Sequence, residues 1–97
     1  MMLTTADFAR RLADEKGYTY KDANIIVRDV IDLIKEVMLE GGGVKFSGFG
    51  NFYVKSYKDR SYTTKHGEEV YMDSFDKPKF SAGKLFSGAI REQSLRR

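Results

Sequence analysis

The chain has 97 residues, a net charge of +3, no cysteine and one histidine, His66. This length fits one domain, residues 1–97, and the composition argues against disulfides, a thiol nucleophile, a zinc site or a Ser-His-Asp triad. No apolar run reaches the roughly 18 residues of a membrane span, and the start lacks the apolar stretch of a signal peptide. We therefore expect an intracellular protein with no membrane partner, cofactor, metal or small-molecule substrate.

Charge is distributed unevenly along the chain. Residues 1–40 carry six Lys/Arg and eight Asp/Glu, a balance of −2, whereas residues 41–97 carry eleven and six, a balance of +5. The second part also holds most of the glycines. This distribution is either chance clustering in a small protein or a basic surface for a polyanion.

Residues 1–40 have the pattern of a helical hairpin. Thr4 suits an N-cap with Asp7 in the first turn, Gly17 suits a helix end, and Thr19 followed by Asp22 resembles a capping box. The second helix then carries two adjacent apolar stripes. These stripes are Ile26, Val30, Leu33, Val37 and Val27, Ile31, Ile34, Met38.

This apolar band is wider than one neighbouring helix would cover. Either the long helix lies at the centre of a compact monomer, or a second copy of the chain covers part of it. We expect a homodimer.

Strands are predicted from residue 44 onward. Val44–Phe46 alternates, Gly48-Phe49-Gly50 is a turn rather than a dinucleotide fingerprint, and a strand is predicted over 51–57. A long hairpin follows, with its tip near Thr63–Gly67, and it has too few apolar residues to bury either face deeply. We call this hairpin the arm.

The arm and its approach are rich in basic and aromatic residues. Residues 45–66 contain one acid, Asp59, three tyrosines (Tyr53, Tyr57, Tyr62) and the basic residues Lys45, Lys55, Lys58, Arg60 and Lys65. A two-stranded ribbon can enter a DNA groove and neutralise phosphates. An ordinary solvated hairpin has a similar composition, and Glu68, Glu69, Asp73 and Asp76 on the returning strand weaken the basic signal.

A short helix is predicted over 81–92, with Ser81 as its N-cap. One face of this helix carries Leu85, Phe86, Ala89 and Ile90. Lys84 lies in its first turn, where the helix dipole favours anions, so Lys84 is either freely solvated or close to a bound phosphate.

Three separated motifs resemble the bacterial histone-like family of HU and integration host factor. They are residues 44–52 (VKFSGFGNF), 67–70 (GEEV) and 78–85 (PKFSAGKL). The order of the elements also agrees, so the resemblance spans nearly the whole chain.

The resemblance implies an α+β fold that forms an intertwined homodimer. A helical base (1–40) would carry a three-stranded antiparallel sheet with a long β-ribbon arm (44–80) and a short C-terminal helix (81–92). Two arms would reach around double-stranded DNA in the minor groove and bend it. The positions that match the family's basic residues are Lys55, Arg60 and Lys84, and we expect Lys58 and Lys65 to serve the same purpose.

The arm tip departs from the family, whose members usually carry an arginine-asparagine-proline run with the proline as an intercalating wedge. Counting back from Gly67 places Thr64 at the proline position, and counting forward from Gly50 places Lys65 there. We expect Thr64 near the groove floor and Lys65 on a phosphate, with Tyr62 able to stack on a base or sugar. Without the wedge, bending should be weaker than is usual for the family.

The predicted function is that of an architectural, nucleoid-associated DNA-binding protein in the cytoplasm of a bacterium, encoded by that bacterium or by its phage. It would bind with low sequence specificity and bend or compact DNA. One alternative is a sequence-preferring bending factor like integration host factor, and another is a dimeric protein-binding adaptor on the same fold. An enzyme is not expected, because carboxylate pairs such as Glu68-Glu69 alternate across the ribbon and do not converge on a pocket.

Overall fold

A computed structural model describes residues 1–96, with the backbone alone at position 72. It contains three helices and five strands, and it divides into two compact units, Met1–Glu36 and the residues from Val37 onward. In chain order the elements are α1 (Thr5–Lys16), α2 (Tyr20–Leu39), β1 (Val44–Phe46), β2 (Gly50–Tyr57), β3 (Arg60–Thr63), β4 (Glu69–Met72), β5 (Phe75–Ala82) and α3 (Lys84–Leu95).

Local capping signals set the helix ends in the first unit. Thr4 and Asp7 form a reciprocal capping box, in which each side chain accepts a hydrogen bond from the other residue's backbone N–H. Gly17 ends α1 in the left-handed conformation, with φ of 77°. At the start of α2 the Thr19 hydroxyl accepts from the Asp22 N–H at 3.1 Å. The cap at Thr4 and the helix end at Gly17 agree with the sequence prediction, and of the capping box predicted at Thr19 and Asp22 the structure shows the hydrogen bond to the Thr19 hydroxyl.

The first unit leaves its large apolar side chains half-exposed. Within residues 1–36 the buried residues are Ala9, Ala13, Ala23 and Val27. An apolar groove lies between α1 and α2, lined by Phe8 and Leu12 on one side and by Ile26, Val30 and Ile31 on the other. Within the single chain, four of the eight residues in the predicted band on α2 are exposed: Ile26, Val30, Ile31 and Leu33.

The second unit contains a three-stranded antiparallel sheet in the order β1-β2-β5 and a separate two-stranded ribbon, β3-β4. Strand β2 pairs with β5 without interruption from Gly50↔Ala82 to Tyr57↔Phe75. The ribbon is the predicted arm, and it joins the sheet through two short connections, 58–59 and 73–74.

Five phenylalanines cluster on one side of the three-stranded sheet. Phe52 contacts Phe80 with ring centroids 4.9 Å apart, and Phe49 contacts both Phe80 and Phe86 at 5.2 Å. Phe46 packs edge-on against Phe52. Phe86 therefore brings α3 to this side of the sheet.

The start of the last helix differs from the prediction. We expected a helix over 81–92 capped by Ser81, but Ser81 lies in β5 opposite Asn51, and α3 runs from Lys84 to Leu95 with Gly83 as its N-cap. The reason is that sheet pairing continues to Ala82, after which the Gly83 N–H donates to the Phe49 carbonyl oxygen at 2.8 Å. Of the predicted apolar face, Leu85 and Ile90 are exposed and Phe86 is partly covered.

Candidate nucleic-acid interface

One face of the three-stranded sheet is basic. Residues opposite each other in an antiparallel pair point to the same face, so the β1–β2 and β2–β5 registers define which side chains lie together. The face opposite the phenylalanine cluster, called here the basic face, carries four lysines and no acid. Its members are Lys45, Asn51, Tyr53, Lys55, Tyr57, Phe75, Lys77, Lys79 and Ser81.

Tyr57 lies among three lysines of the basic face. The Lys55 ammonium lies 5.3 Å from the centroid of the Tyr57 ring, and the Lys79 ammonium lies 5.9 Å from it. The ring also stacks on Phe75, with centroids 5.0 Å apart. A hydrogen bond from Lys79 is the largest cause that lowers the pKa of the Tyr57 phenol, and the charges of Lys79, Lys55 and Lys77 lower it further. The three lysines around Tyr57 make the local potential positive, and a positive potential attracts phosphate.

In the arm, side chains alternate between two exposed faces. Arg60 and Tyr62 point to the same face of β3, where Val70 lies opposite Tyr62. Thr63 points to the other face, opposite Glu69. Tyr62 is about half-exposed, so its ring is available to a partner.

The arm tip is a tight turn closed by three hydrogen bonds. The Thr64 N–H donates to the Glu68 carbonyl at 2.8 Å, the Gly67 N–H donates to the Thr64 carbonyl at 3.0 Å, and the Thr64 hydroxyl accepts from the Glu68 N–H at 3.2 Å. Gly67 has φ of 84°, a left-handed conformation that suits glycine. This is a three-residue hairpin loop of Lys65, His66 and Gly67. Thr64 closes the loop, and Lys65 is the first residue exposed in it.

The structure brings some of the sequence-predicted residues together and separates others. Lys55 lies on the basic face, Lys58 in the connection to the arm, Arg60 and Tyr62 on one arm face, and Thr64 and Lys65 at the tip. Lys84 is exposed and is the first residue of α3, so it lies in the first turn of the helix, as predicted. The assignment of all seven to DNA binding stays a prediction.

Sequence reasoning left three lysines of the basic face out of the site. Lys45, Lys77 and Lys79 share this face with Lys55. The alternation of Lys77, Pro78, Lys79 and Phe80 has the pattern of a half-buried strand and could have predicted β5. Proline argues against a strand, but β5 is an edge strand, where a residue without a backbone N–H is tolerated.

A basic face beside an exposed β-ribbon arm defines a class of protein, the architectural DNA-binding proteins that use strands to hold the duplex. Residues 3–91 match the family model described as bacterial DNA-binding protein. The chain belongs to this family, and it is a DNA-binding protein rather than an enzyme.

Individual relatives agree with the family assignment. The chain is 33% identical over 91 residues to an integration host factor subunit alpha from a Marinomonas species, covering 93% of each chain. It is 39% identical over 69 residues to the same subunit from an Anaeromyxobacter species, covering 70% of each.

Solved structures of HU proteins share the fold. An HU–DNA cocrystal structure from Anabaena superposes with a TM-score of 0.80 at 27% identity, covering 91% of this chain and 97% of that one. An HU variant from Thermotoga maritima has a TM-score of 0.69 at 23% identity, with 91% and 99% covered. The expected α+β fold, with its sheet, arm and terminal helix, is confirmed. No helix among residues 1–96 is both long and apolar enough to cross a membrane.

Proposed function

We propose that this chain acts as a homodimer that holds duplex DNA between its arms and against its basic faces, with low sequence specificity, and that it bends or compacts the DNA. The observation that carries the proposal is the separation of chemistry on the three-stranded sheet. Four lysines occupy one face without an acid, while the cluster of five phenylalanines and Asp76 lie on the other. A surface of this kind binds the sugar-phosphate backbone, which is the same for every sequence.

The related structure from Anabaena supports the proposal, since that HU protein was crystallised with DNA. We further propose that residues 1–97 work as a single histone-like domain, in which residues 1–40 supply the dimerisation base. The site of action would be the nucleoid of a bacterium.

The homodimer is supported by the uncovered apolar side chains of α2. Leu33 is 60% exposed and Val30 49% exposed in the single chain. Contiguous exposure of this kind marks an interaction surface. A twofold pairing would let each copy cover the other's stripe.

Two measurements test the dimer. Its melting temperature should rise by about 3–6 °C for each tenfold increase in protein concentration, because folding and association are linked. Leu33→Asn should cost about 2–3 kcal/mol if the side chain is buried in a dimer, but well under 1 kcal/mol in a monomer, where it is already exposed. Lys35→Asn is the matched control on the same helix. A stable monomer at micromolar concentration would refute the pairing.

The DNA mode is tested by the salt dependence of binding. The variant in which Lys55, Lys58, Arg60 and Lys65 are all replaced by glutamine should bind two unrelated duplexes more weakly by similar factors. Each lost phosphate contact should reduce the slope of log affinity against log salt by about 0.9. An unchanged slope would show that these four residues do not contact phosphate, so that DNA binds elsewhere on the protein or the protein acts as a protein-binding adaptor. Strong discrimination between the duplexes would favour a sequence-preferring factor instead.

A further inference from the structure

The junction between the sheet and the arm interrupts both strands. Strand β2 ends at Tyr57 and β3 begins at Arg60, while β4 ends at Met72 and β5 begins at Phe75. The described strand pairings stop on each side of residues 58–59 and 73–74. Two short connections without ladder hydrogen bonds form a natural hinge, about which the arm could change direction.

One side chain bridges this hinge. The Asp59 carboxylate, in the first connection, accepts a hydrogen bond from the backbone N–H of Ser74 in the second connection. Its other oxygen accepts from the Tyr71 hydroxyl at 2.9 Å, and Tyr71 lies in β4 of the arm. We call these three residues the clasp. It ties the returning limb of the arm and both connections to one carboxylate.

The charge states of the clasp agree with this geometry. Donation from Tyr71, followed by donation from Ser74, lowers the pKa of the Asp59 carboxyl below its ordinary value. The carboxylate in turn raises the pKa of the Tyr71 phenol, which keeps its proton for the hydrogen bond. The clasp is therefore formed with an ionised Asp59 at neutral pH.

Asp59 is the one acid within residues 45–66. A negative charge there repels DNA phosphates, so electrostatics alone predicts that removing it strengthens binding. The clasp has the opposite effect, because an arm that is already ordered loses less conformational entropy when it binds. The two effects can be separated by experiment.

We propose that Asp59 is a positioning residue for DNA binding, whose carboxylate holds the arm in a fixed direction relative to the three-stranded sheet. The arm and the basic face are then presented together to one duplex. This inference rests on the proposed function, but the state of the hinge can be measured without DNA.

Variants of the full-length chain separate charge from hydrogen bonding. Asp59→Ala removes the charge and both acceptors, and should weaken binding to a short duplex about threefold or more. Asp59→Asn removes the same charge but keeps an acceptor for the Ser74 N–H and an amide that can face Tyr71. It should bind at least as tightly as the wild type. Tyr71→Phe leaves the charge unchanged and should weaken binding, and combining it with Asp59→Ala should add little.

Asp73→Ala is the matched control, because it removes the same charge from the neighbouring connection outside the clasp. It should leave binding unchanged or slightly tighter. In the free protein, ¹⁵N order parameters of arm amides should fall in Asp59→Ala and Tyr71→Phe but hold in Asp59→Asn and Asp73→Ala.

The proposal is overturned if Asp59→Ala tightens binding as much as Asp59→Asn does, since charge alone would then account for both. It is also overturned if the order parameters do not change in Asp59→Ala. A wild-type protein that fails to bind duplex DNA would refute the proposed function instead, and the order parameters would still report whether the clasp holds the arm.

Discussion

Proline should have opposite effects at two adjacent positions of the arm tip. Thr64 closes the hairpin with its N–H on the Glu68 carbonyl and its hydroxyl on the Glu68 N–H. Thr64→Pro removes both hydrogen bonds. Lys65 is the second residue of the turn that the Gly67 N–H closes onto the Thr64 carbonyl, a position where proline is favoured.

The magnitudes follow from these contacts. At about 1 kcal/mol for each hydrogen bond, Thr64→Pro should cost about 2 kcal/mol of tip closure, enough to favour a frayed tip. Lys65→Pro should stabilise the turn by about 0.4–1 kcal/mol, since it restricts the unfolded chain. It also exposes a rigid apolar ring at the end of the arm, which is suited to wedging between base pairs.

Energy transfer between dyes at the two ends of a short duplex measures the bend. Lys65→Pro should increase the transfer relative to the wild type, and Thr64→Pro should decrease it and weaken binding. Lys65→Ala is the control that removes the charge without adding the ring. Greater bending by Thr64→Pro than by Lys65→Pro would show that the tip does not keep this turn on DNA. If neither variant changes bending, the tip does not touch the base stack.

Three further predictions concern the sheet, the last helix and the clasp. Gly50→Ala should lower the free energy of unfolding, measured with denaturant, by about 1–3 kcal/mol, because the new Cβ would lie 2.5 Å from a backbone oxygen of β5. Gly88→Ala should stabilise α3 by about 0.5–1 kcal/mol, because its new Cβ would have no heavy atom within 4 Å. Ultraviolet titration should show Tyr57 ionising below its ordinary pKa of 10.0, and Lys79→Gln should raise the pKa of Tyr57. Because the folded state loses the Tyr57 proton at a lower pH than the unfolded state does, Tyr57 should add stability as the pH rises through its lowered pKa. Because the pKa of Asp59 is lowered in the folded protein, its contribution to stability is complete above the ordinary pKa of 3.8 and is lost as the pH falls through the pKa of the folded state. The order parameters of the arm should therefore hold at pH 3.8 and decline at lower pH.

Short-range interactions were the predictable part of this structure. The capping box of Thr4 and Asp7 and the left-handed end at Gly17 involve residues within four positions of one another, so the local sequence specifies them. The arm and its tip were predicted for the same reason, since a hairpin turn depends on neighbouring residues.

Long-range pairing accounts for what was missed. Sheet pairing with β2 keeps Ser81 in β5, and the same register places Lys77 beside Lys55 on the basic face. The partners of Asp59 in the clasp lie 12 and 15 residues away along the chain. Patterns within a short window do not contain such contacts, because they depend on which strands pair and in which register.

The most direct test of the DNA interface compares the two faces of one strand. Side-chain NMR signals of an isotope-labelled protein can be followed while a short duplex is added. The signals of Lys55, Lys77 and Lys79 should shift, while the Val54 methyl signals on the opposite face change little. Raising the salt concentration should reverse these shifts, because phosphate contacts carry the binding. Shifts confined to Val54 and the phenylalanine side of the sheet, with the lysine signals unmoved, would contradict DNA binding at the basic face.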